Sequence, residues 1–131
     1  MNIRKKITPW IPVLIWMLVI FAFSSRPTLR AATIDWQDFI IRKMAHFVEY
    51  FILFALNYRA LLRSTSLSKR QAILLAFGLG LIYAISDEYH QTLVPGREGR
   101  FRDVFIDSLG LLASGSLLLH ISTGTSGVDK S

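Results

Sequence analysis

Four long apolar runs, separated by short charged connections, dominate this chain of 131 residues. The first extends from Ile7 to Phe23 without a charged side chain, and the others cover about 39–62, 69–91 and 103–120. Each run is close to the roughly 20 residues that an α-helix needs to cross the hydrocarbon of a bilayer. Within lipid, a helix satisfies its own backbone hydrogen bonds without a partner strand. The sequence therefore predicts an all-α fold, an antiparallel bundle of four transmembrane helices.

The composition indicates a membrane protein and excludes several other classes. Apolar residues make up 52% of the chain and the mean hydropathy is +0.41, which leaves too little polar surface for a soluble domain of this size. No cysteine is present, so disulfides, thiolate metal sites and cysteine nucleophiles are excluded. The net charge of +6 comes from short basic clusters between apolar runs, the pattern that orients membrane proteins. We therefore expect no nucleic-acid partner.

The first apolar run has two interpretations. A basic segment at residues 2–6 precedes it, and residues 22–24 form an acceptable cleavage site, as in a secretory signal peptide. Three further candidate spans follow, however, and the run itself contains Trp10 and Trp16. The sequence therefore favours a helix that is retained in the mature protein.

The predicted organisation is one transmembrane domain over residues 1–121, followed by a Gly/Ser/Thr-rich tail at 122–131 that we expect to be mobile. On this topology the Lys and Arg residues divide almost equally, eight on the face that carries both termini and seven on the other. The first group has almost no acidic neighbours, and a basic N-terminus before the first helix usually stays cytoplasmic. We expect a multi-pass protein of the cell (plasma or inner) membrane with both termini in the cytoplasm.

This topology brings the unusual polar residues to one membrane face. On the second, third and fourth helices they recur at intervals of three or four residues, and they therefore form stripes that face one another in a bundle. Ionisable groups in membrane helices usually face the bundle interior, an aqueous cavity or a ligand. We therefore predict one outward-facing polar site. Its candidate binding residues are Lys43, His46, Asp87, Glu88, His90, Gln91, Arg97, Arg100, Asp103 and Asp107.

The residue types of this site fit phosphate chemistry, although no familiar catalytic motif is present. The sequence has no nucleophile elbow, no His-Glu-x-x-His motif and no phosphate-binding glycine loop. We expect a turn at Pro95-Gly96 to present Arg97 and Arg100, which suit the phosphate of a lipid headgroup. Histidines tuned by carboxylates are then candidate acids or bases. These catalytic candidates are His46, His90, Asp87 and Asp103.

Each of these residues also has a purely structural interpretation. Lys43 can extend toward the headgroups, Asp103 can cap a helix, and Asp87-Glu88 can pair with nearby arginines. Separate structural explanations would then be needed for six residues at one membrane face, which favours a shared site. These six are Lys43, His46, Asp87, His90, Asp103 and Asp107. The histidines and aspartates include the ligand types for a divalent ion, but no spacing signature accompanies them. The sequence therefore predicts no metal site and leaves any cofactor unknown.

Ordered motifs run through most of the chain, from about Trp10 to Leu118. They are FSSRP at 23–27, RKMAHFVEY at 42–50, SDEYHQ at 86–91 with VPGR at 94–97, and RDV at 102–104 with Asp107 and Gly110. As an ordered set they resemble the VanZ-like family of small bacterial membrane proteins. The resemblance implies a multi-pass cell-envelope protein, in a family whose namesake is associated with resistance to the glycopeptide antibiotic teicoplanin. It also implies no fixed acid role for Asp107, because the family often has Asn at that position.

Two classes of function remain open at this point. In the first, the outward-facing site binds an anionic lipid-linked or glycopeptide-type molecule, with membrane lipids or a lipid-linked envelope precursor as partners. In the second, the protein is a small membrane enzyme that acts on a lipid phosphate headgroup. A proton-coupled carrier is a weaker third possibility, because four short helices leave little room for alternating access.

Overall fold

The computed structural model describes residues 2–27, 36–97 and 99–124, and these residues are helical apart from short turns. No strand occurs within those ranges. Successive helices pack against one another in alternating directions, so the predicted all-α antiparallel bundle is confirmed. The four helices are α1 (Ile3–Ser24), α2 (Trp36–Ser64), α3 (Lys69–Thr92) and α4 (Phe101–Gly124).

The observed helices extend slightly beyond the four predicted runs. Each begins at the predicted residue or up to four residues earlier, and each ends one to four residues later. The connection predicted between α1 and α2 lies partly outside the described residues, because 28–35 are not among them. The predicted tail begins at Ser122, whereas α4 continues to Gly124. Residues 125–131 lie outside the described residues.

Three of the helices are long and apolar enough to cross a membrane: Ile3–Ser24, Lys69–Thr92 and Phe101–Thr123. The fourth, α2, is the longest at 29 residues, but polar side chains such as His46, Glu49 and Asn57 make it less apolar. It packs against each of the other three helices. Polar groups at membrane depth are tolerated where they contact protein rather than lipid, so this central position suits the composition of α2.

Local sequence signals account for the helix boundaries. In α1, Pro9 and Pro12 follow an initial helical turn, and the segment Thr8–Trp10 is a 3₁₀ turn between two α-helical parts. At the start of α3, the Ser68 side chain accepts from the Gln71 N–H while the Gln71 side chain accepts from the Ser68 N–H, which forms a capping box. The turn between α3 and α4 uses Gly96 at φ 78°, a conformation that L side chains rarely adopt.

The core combines large side chains on α2 with small residues on α3 and α4. Tyr50, Leu53 and Phe54 are buried on α2. On α3, small residues recur every fourth position and face inward, as in other closely packed membrane helices. Gly110 of α4 lies directly against the backbone of α2 near Phe47, where a Cβ atom would collide with a carbonyl oxygen. The small buried residues of α3 are Ala72, Ala76, Gly80 and Ala84.

Candidate functional site

The predicted site residues lie on α2, α3, the α3–α4 connection and α4. At one end of the bundle these elements meet the end of α1. The Arg97 guanidinium, in the α3–α4 connection, donates to the carbonyl oxygens of Phe23 and Arg26 at the end of α1, over 2.9 and 3.0 Å. Lys43 in the first half of α2 forms an ion pair with Asp103 in the first turn of α4. We call this region the polar end of the bundle.

Two pairs of side chains are stacked across the contact between α2 and α4. Lys43 pairs with Asp103, and one turn deeper His46 Nδ1 lies 3.1 Å from Asp107 Oδ1. The spacing explains the alignment, because residues three apart on α2 and four apart on α4 share a helix face. The Lys43–Asp103 pair retains some solvent exposure, whereas the Asp107 side chain is fully buried. The contact is therefore more open at its outer pair than at its inner pair.

Asp87 of α3 belongs to a separate hydrogen-bonded group inside the bundle. Its Oδ2 atom accepts from Gln91 Nε2 over 3.1 Å and from the Tyr50 hydroxyl over 3.5 Å. Gln91 Oε1 in turn accepts from the Arg97 guanidinium over 3.3 Å. Asp87 and Gln91 are both buried. These bonds connect α3 to α2 and to the α3–α4 connection.

Glu88 is also buried, and it satisfies the start of α4. Its Oε2 atom accepts from the backbone N–H of Arg100 over 3.1 Å. The first N–H groups of a helix have no partner within the helix, so an acidic side chain from another helix is a suitable acceptor. Glu88 of α3 therefore bonds to the backbone immediately before α4, which begins at Phe101.

His90 lies on a different side of α3 from these groups. Its ring stacks on that of Phe21 in α1, with 4.5 Å between ring centroids. His46, the other predicted histidine, lies at the contact between α2 and α4. The structure thus brings Lys43, His46, Asp103 and Asp107 together, and it separates His90 from them.

Arg97 makes mainly structural contacts. Three of its N–H groups donate to Phe23 O, Arg26 O and Gln91 Oε1, so it connects α1 to the end of α3. Burial lowers the pKa of the Arg97 guanidinium, which nevertheless stays cationic because its ordinary pKa is so high. A guanidinium has five N–H donors, and the remaining two are suited to a further acceptor.

A cavity of about 340 Å³ opens beside this arginine, between α1 and α2. One part of its wall is apolar and includes Trp16, Phe23 and Val48. Another part is formed by basic and acidic side chains. These charged and titratable lining residues are Arg26, Arg42, His46, Glu49 and Arg97.

Several cavity residues were missed in the sequence analysis. Arg26 and Phe23 belong to the FSSRP motif, and Glu49 lies three residues after His46 in the next motif, on the same face of α2. Membership of these motifs was therefore the sequence signal that could have assigned Phe23, Arg26 and Glu49 to the site. Trp16, whose indole N–H donates to the Glu49 carbonyl over 2.9 Å, carried no signal beyond its place in an apolar run.

Four buried polar atoms at this end have no hydrogen-bond partner within the described residues. They belong to three carboxylates and one imidazole, and leaving such groups unpaired is costly. Among them, Asp107 is 0% exposed, Asp87 3% and Glu88 4%. The four atoms are Asp87 Oδ1, Glu88 Oε1, His90 Nδ1 and Asp107 Oδ2.

One subset of these side chains has the arrangement of a metal centre. Ligand atoms of His46, Glu88 and Asp107 all lie within 4.8 Å of one another. The three residues come from α2, α3 and α4 respectively. An imidazole with two carboxylates is a ligand set that divalent transition-metal ions accept.

The sequence model of the VanZ/LLP1 family matches residues 9–122. The chain belongs to this family. The match extends from the first half of α1 to Ser122 in the last turn of α4, and so includes the cavity and all ten predicted site residues. The resemblance inferred from the ordered motifs is thereby confirmed. No curated protein and no solved structure shows a significant match to the chain.

Proposed function

We propose that this VanZ/LLP1-family membrane protein binds the anionic phosphate headgroup of a lipid-linked molecule in the cavity between α1 and α2. The observation that carries the proposal is the composition of the cavity wall, where guanidinium groups and an apolar surface lie side by side. Such a wall matches a molecule with a phosphate at one end and a hydrocarbon chain at the other.

Arginine is the appropriate residue for the phosphate part of this ligand. Its planar N–H groups form two parallel hydrogen bonds to phosphate oxygens, a geometry that lysine cannot copy. Arg26 and Arg42 line the cavity together with Arg97. Because Arg97 is held by three acceptors, it offers its remaining donors from a fixed position.

The apolar part of the wall suits the chain of the lipid. Trp16, Phe23 and Val48 form the apolar part of the cavity wall. A volume of about 340 Å³ is at the lower end of the range for ligand pockets, roughly 300–1,000 Å³. The cavity therefore fits a headgroup and the first carbons of its chain, with the rest of the chain in the bilayer.

The binding experiment uses purified protein in nanodiscs of neutral lipid. The probes are a short-chain polyisoprenyl phosphate and the alcohol of the same chain length. We expect saturable binding of the phosphate, and at least tenfold weaker binding of the alcohol. Arg42→Gln and Arg97→Lys should each weaken phosphate binding, the second nearly as much as Arg97→Ala. Arg59→Gln is the matched control, because Arg59 is an exposed arginine at the other end of α2.

Equal binding of the phosphate and the alcohol would overturn the proposal, as would unchanged binding by Arg42→Gln. In cells, the same variants can be scored for teicoplanin sensitivity, which tests whether the family association extends to this chain. Binding of the glycopeptide itself, in place of the lipid phosphate, would assign the cavity to the other ligand class that the sequence left open.

The proposed orientation places the polar end at the external face of the cell membrane, with both termini in the cytoplasm. The basic residues of the terminal face support this orientation, because they have almost no acidic neighbours in the sequence. Reporter fusions after Ser66 and after Gly99 should therefore report the cytoplasm and the exterior, respectively. Reports from the same side would contradict this topology.

Turnover of the bound headgroup is a second candidate function, favoured by the position of His46. This histidine lines the cavity and is oriented by buried Asp107. In hydrolysis of a lipid pyrophosphate, a water oxygen would bond to phosphorus as a P–O anhydride bond breaks, and His46 would accept the proton of the water. Phosphate release from a polyisoprenyl pyrophosphate, lost in His46→Ala, would show turnover. Binding without release would leave the protein a binding module.

A further inference from the structure

We propose that His46, Glu88 and Asp107 form the binding site of one divalent transition-metal ion. Their ligand atoms lie within 4.8 Å of one another. Oxygen and nitrogen ligands bind such ions at about 2.0–2.2 Å, so two ligands of one ion are at most about 4.4 Å apart. Neighbouring ligands of a tetrahedral ion lie closer together, about 3.5 Å apart, so the triad closes around an ion with side-chain shifts of up to about 1 Å.

The unpartnered carboxylate oxygens are an independent observation that points to a cation. Asp107 uses Oδ1 for His46 and has Oδ2 unpaired, although its side chain is completely buried. Glu88 uses Oε2 for the Arg100 N–H and has Oε1 unpaired at 4% exposure. A buried anion with one unpaired oxygen is unfavourable, and a cation bound between two such oxygens offsets both penalties.

Lys43 and Arg97 do not supply that cation. Lys43 is engaged by Asp103, and three Arg97 N–H groups bond to oxygens that are neutral. Asp87 and Asp103 are close enough to Asp107 to add further negative charge there. Among the described residues, no hydrogen bond from a basic side chain reaches Glu88 Oε1 or Asp107 Oδ2.

The ligand set narrows the choice of ion. Carboxylates alone suit Mg²⁺ and Ca²⁺, whereas an imidazole beside them favours ions such as Mn²⁺ and Zn²⁺. Three protein ligands leave coordination positions open, as in catalytic rather than structural sites. His46 also lines the cavity between α1 and α2, whereas Glu88 and Asp107 do not, so the proposed ion lies behind the cavity wall at His46. Because His46 Nδ1 is bonded to Asp107, the ion would occupy Nε2, and His46 would then be a metal ligand rather than the base of the second candidate function.

The test uses the metal alone as the probe, without any lipid. Purified full-length protein in neutral detergent is treated with EDTA and dialysed. One sample is titrated with Mn²⁺, and the bound Mn²⁺ is measured by electron paramagnetic resonance. A parallel sample is incubated with Zn²⁺, and the bound Zn²⁺ is measured by elemental analysis. We expect one ion per chain and a rise in Tm on ion binding. His46→Gln, Glu88→Gln and Asp107→Leu should each weaken binding at least tenfold and abolish the rise in Tm.

His120→Gln is the matched control for His46→Gln, because His120 is exposed at the opposite end of α4. It should bind the ion as wild type does. Folding of every variant is checked by its helical circular dichroism and its Tm in EDTA. Absence of stoichiometric binding by the wild type would overturn the proposal, and so would wild-type affinity in any of the three triad variants. Because no lipid is used, loss of lipid binding alone would overturn only the proposed function.

Discussion

The two ends of this bundle differ in how their buried polar groups are paired. At the end formed by the start of α1 and the end of α2, the described basic side chains are exposed, and no buried side-chain N or O atom of the described residues lacks a hydrogen-bond partner. There the Trp10 indole N–H donates to the Ser64 hydroxyl over 3.1 Å, and the capping box of Ser68 and Gln71 completes the start of α3. At the polar end, Asp87, Glu88 and Asp107 are all buried with one oxygen unpaired.

This difference separates the residues that stabilise the fold from those available for a ligand. Unpaired buried groups cost roughly 1–3 kcal/mol each, and proteins keep such costs mainly at functional sites. The opposite end and the middle of the bundle must then supply the stability that the polar end lacks. Substitutions at the two ends should accordingly differ in sign as well as in size.

The largest expected effect tests this contrast in the core. Phe54 is 1% exposed and its ring faces Gly115 of α4, so Phe54→Ala should lower the free energy of unfolding by about 3 kcal/mol. Asp107→Asn, measured at a pH at which His46 is neutral, should leave that free energy unchanged or raise it in metal-free protein, because it replaces a carboxylate that has an unpaired buried oxygen and keeps an oxygen acceptor for His46. Unfolding in mixed micelles with increasing SDS measures both.

Phe105→Ala is the control for Phe54→Ala, because Phe105 is 65% exposed on the same bundle. It should change the free energy of unfolding little. If Asp107→Asn destabilises the metal-free protein as strongly as Phe54→Ala, the polar end is a structural element and the contrast between the two ends is wrong.

The second expected effect concerns the contact that aligns α2 with α4. Gly110→Ala places a Cβ atom against the Phe47 carbonyl oxygen, so the helices must move apart, at a cost of about 2 kcal/mol. Gly78→Ala is the matched control, since a Cβ there meets nothing within 4 Å. That substitution should be neutral, or stabilising by up to about 1 kcal/mol through helix propensity. Equal unfolding free energies for the two variants would contradict the close contact.

The sequence was sufficient to predict the bundle because its signals are local. Apolar runs define the helices, and the Pro95-Gly96 turn marks the end of α3 before α4. The pairing of His46 with Asp107 also follows a local rule, because Lys43 and His46 share one face of α2 while Asp103 and Asp107 share one face of α4. Once the two helices are neighbours, both pairs can form.

The contacts that depend on tertiary packing were not accessible in this way. Arg97 bonds to backbone carbonyls of α1, and the acceptor in Phe23 is 74 residues away. Backbone oxygens carry no residue-specific signal, so the sequence suggested only side-chain partners or phosphate for this arginine. The cavity depends on how α1 lies against α2, which no periodicity within α1 specifies. Glu88 likewise bonds to a backbone N–H, that of Arg100.

The smallest expected effect distinguishes a structural pair from a ligand site within the polar end itself. The Lys43–Asp103 pair is partly exposed, at 21% and 13% of the two side chains, so its coupling should be modest, about 1 kcal/mol. A double-mutant cycle with Lys43→Met and Asp103→Asn, scored by the free energy of unfolding, measures that coupling directly. The same variants should bind Mn²⁺ within about threefold of wild type, because neither side chain belongs to the proposed triad. The opposite result would be a coupling near zero together with a large loss of ion affinity in Asp103→Asn. Asp103 would then be a ligand of the ion, and the functional part of the polar end would extend outward to the first turn of α4.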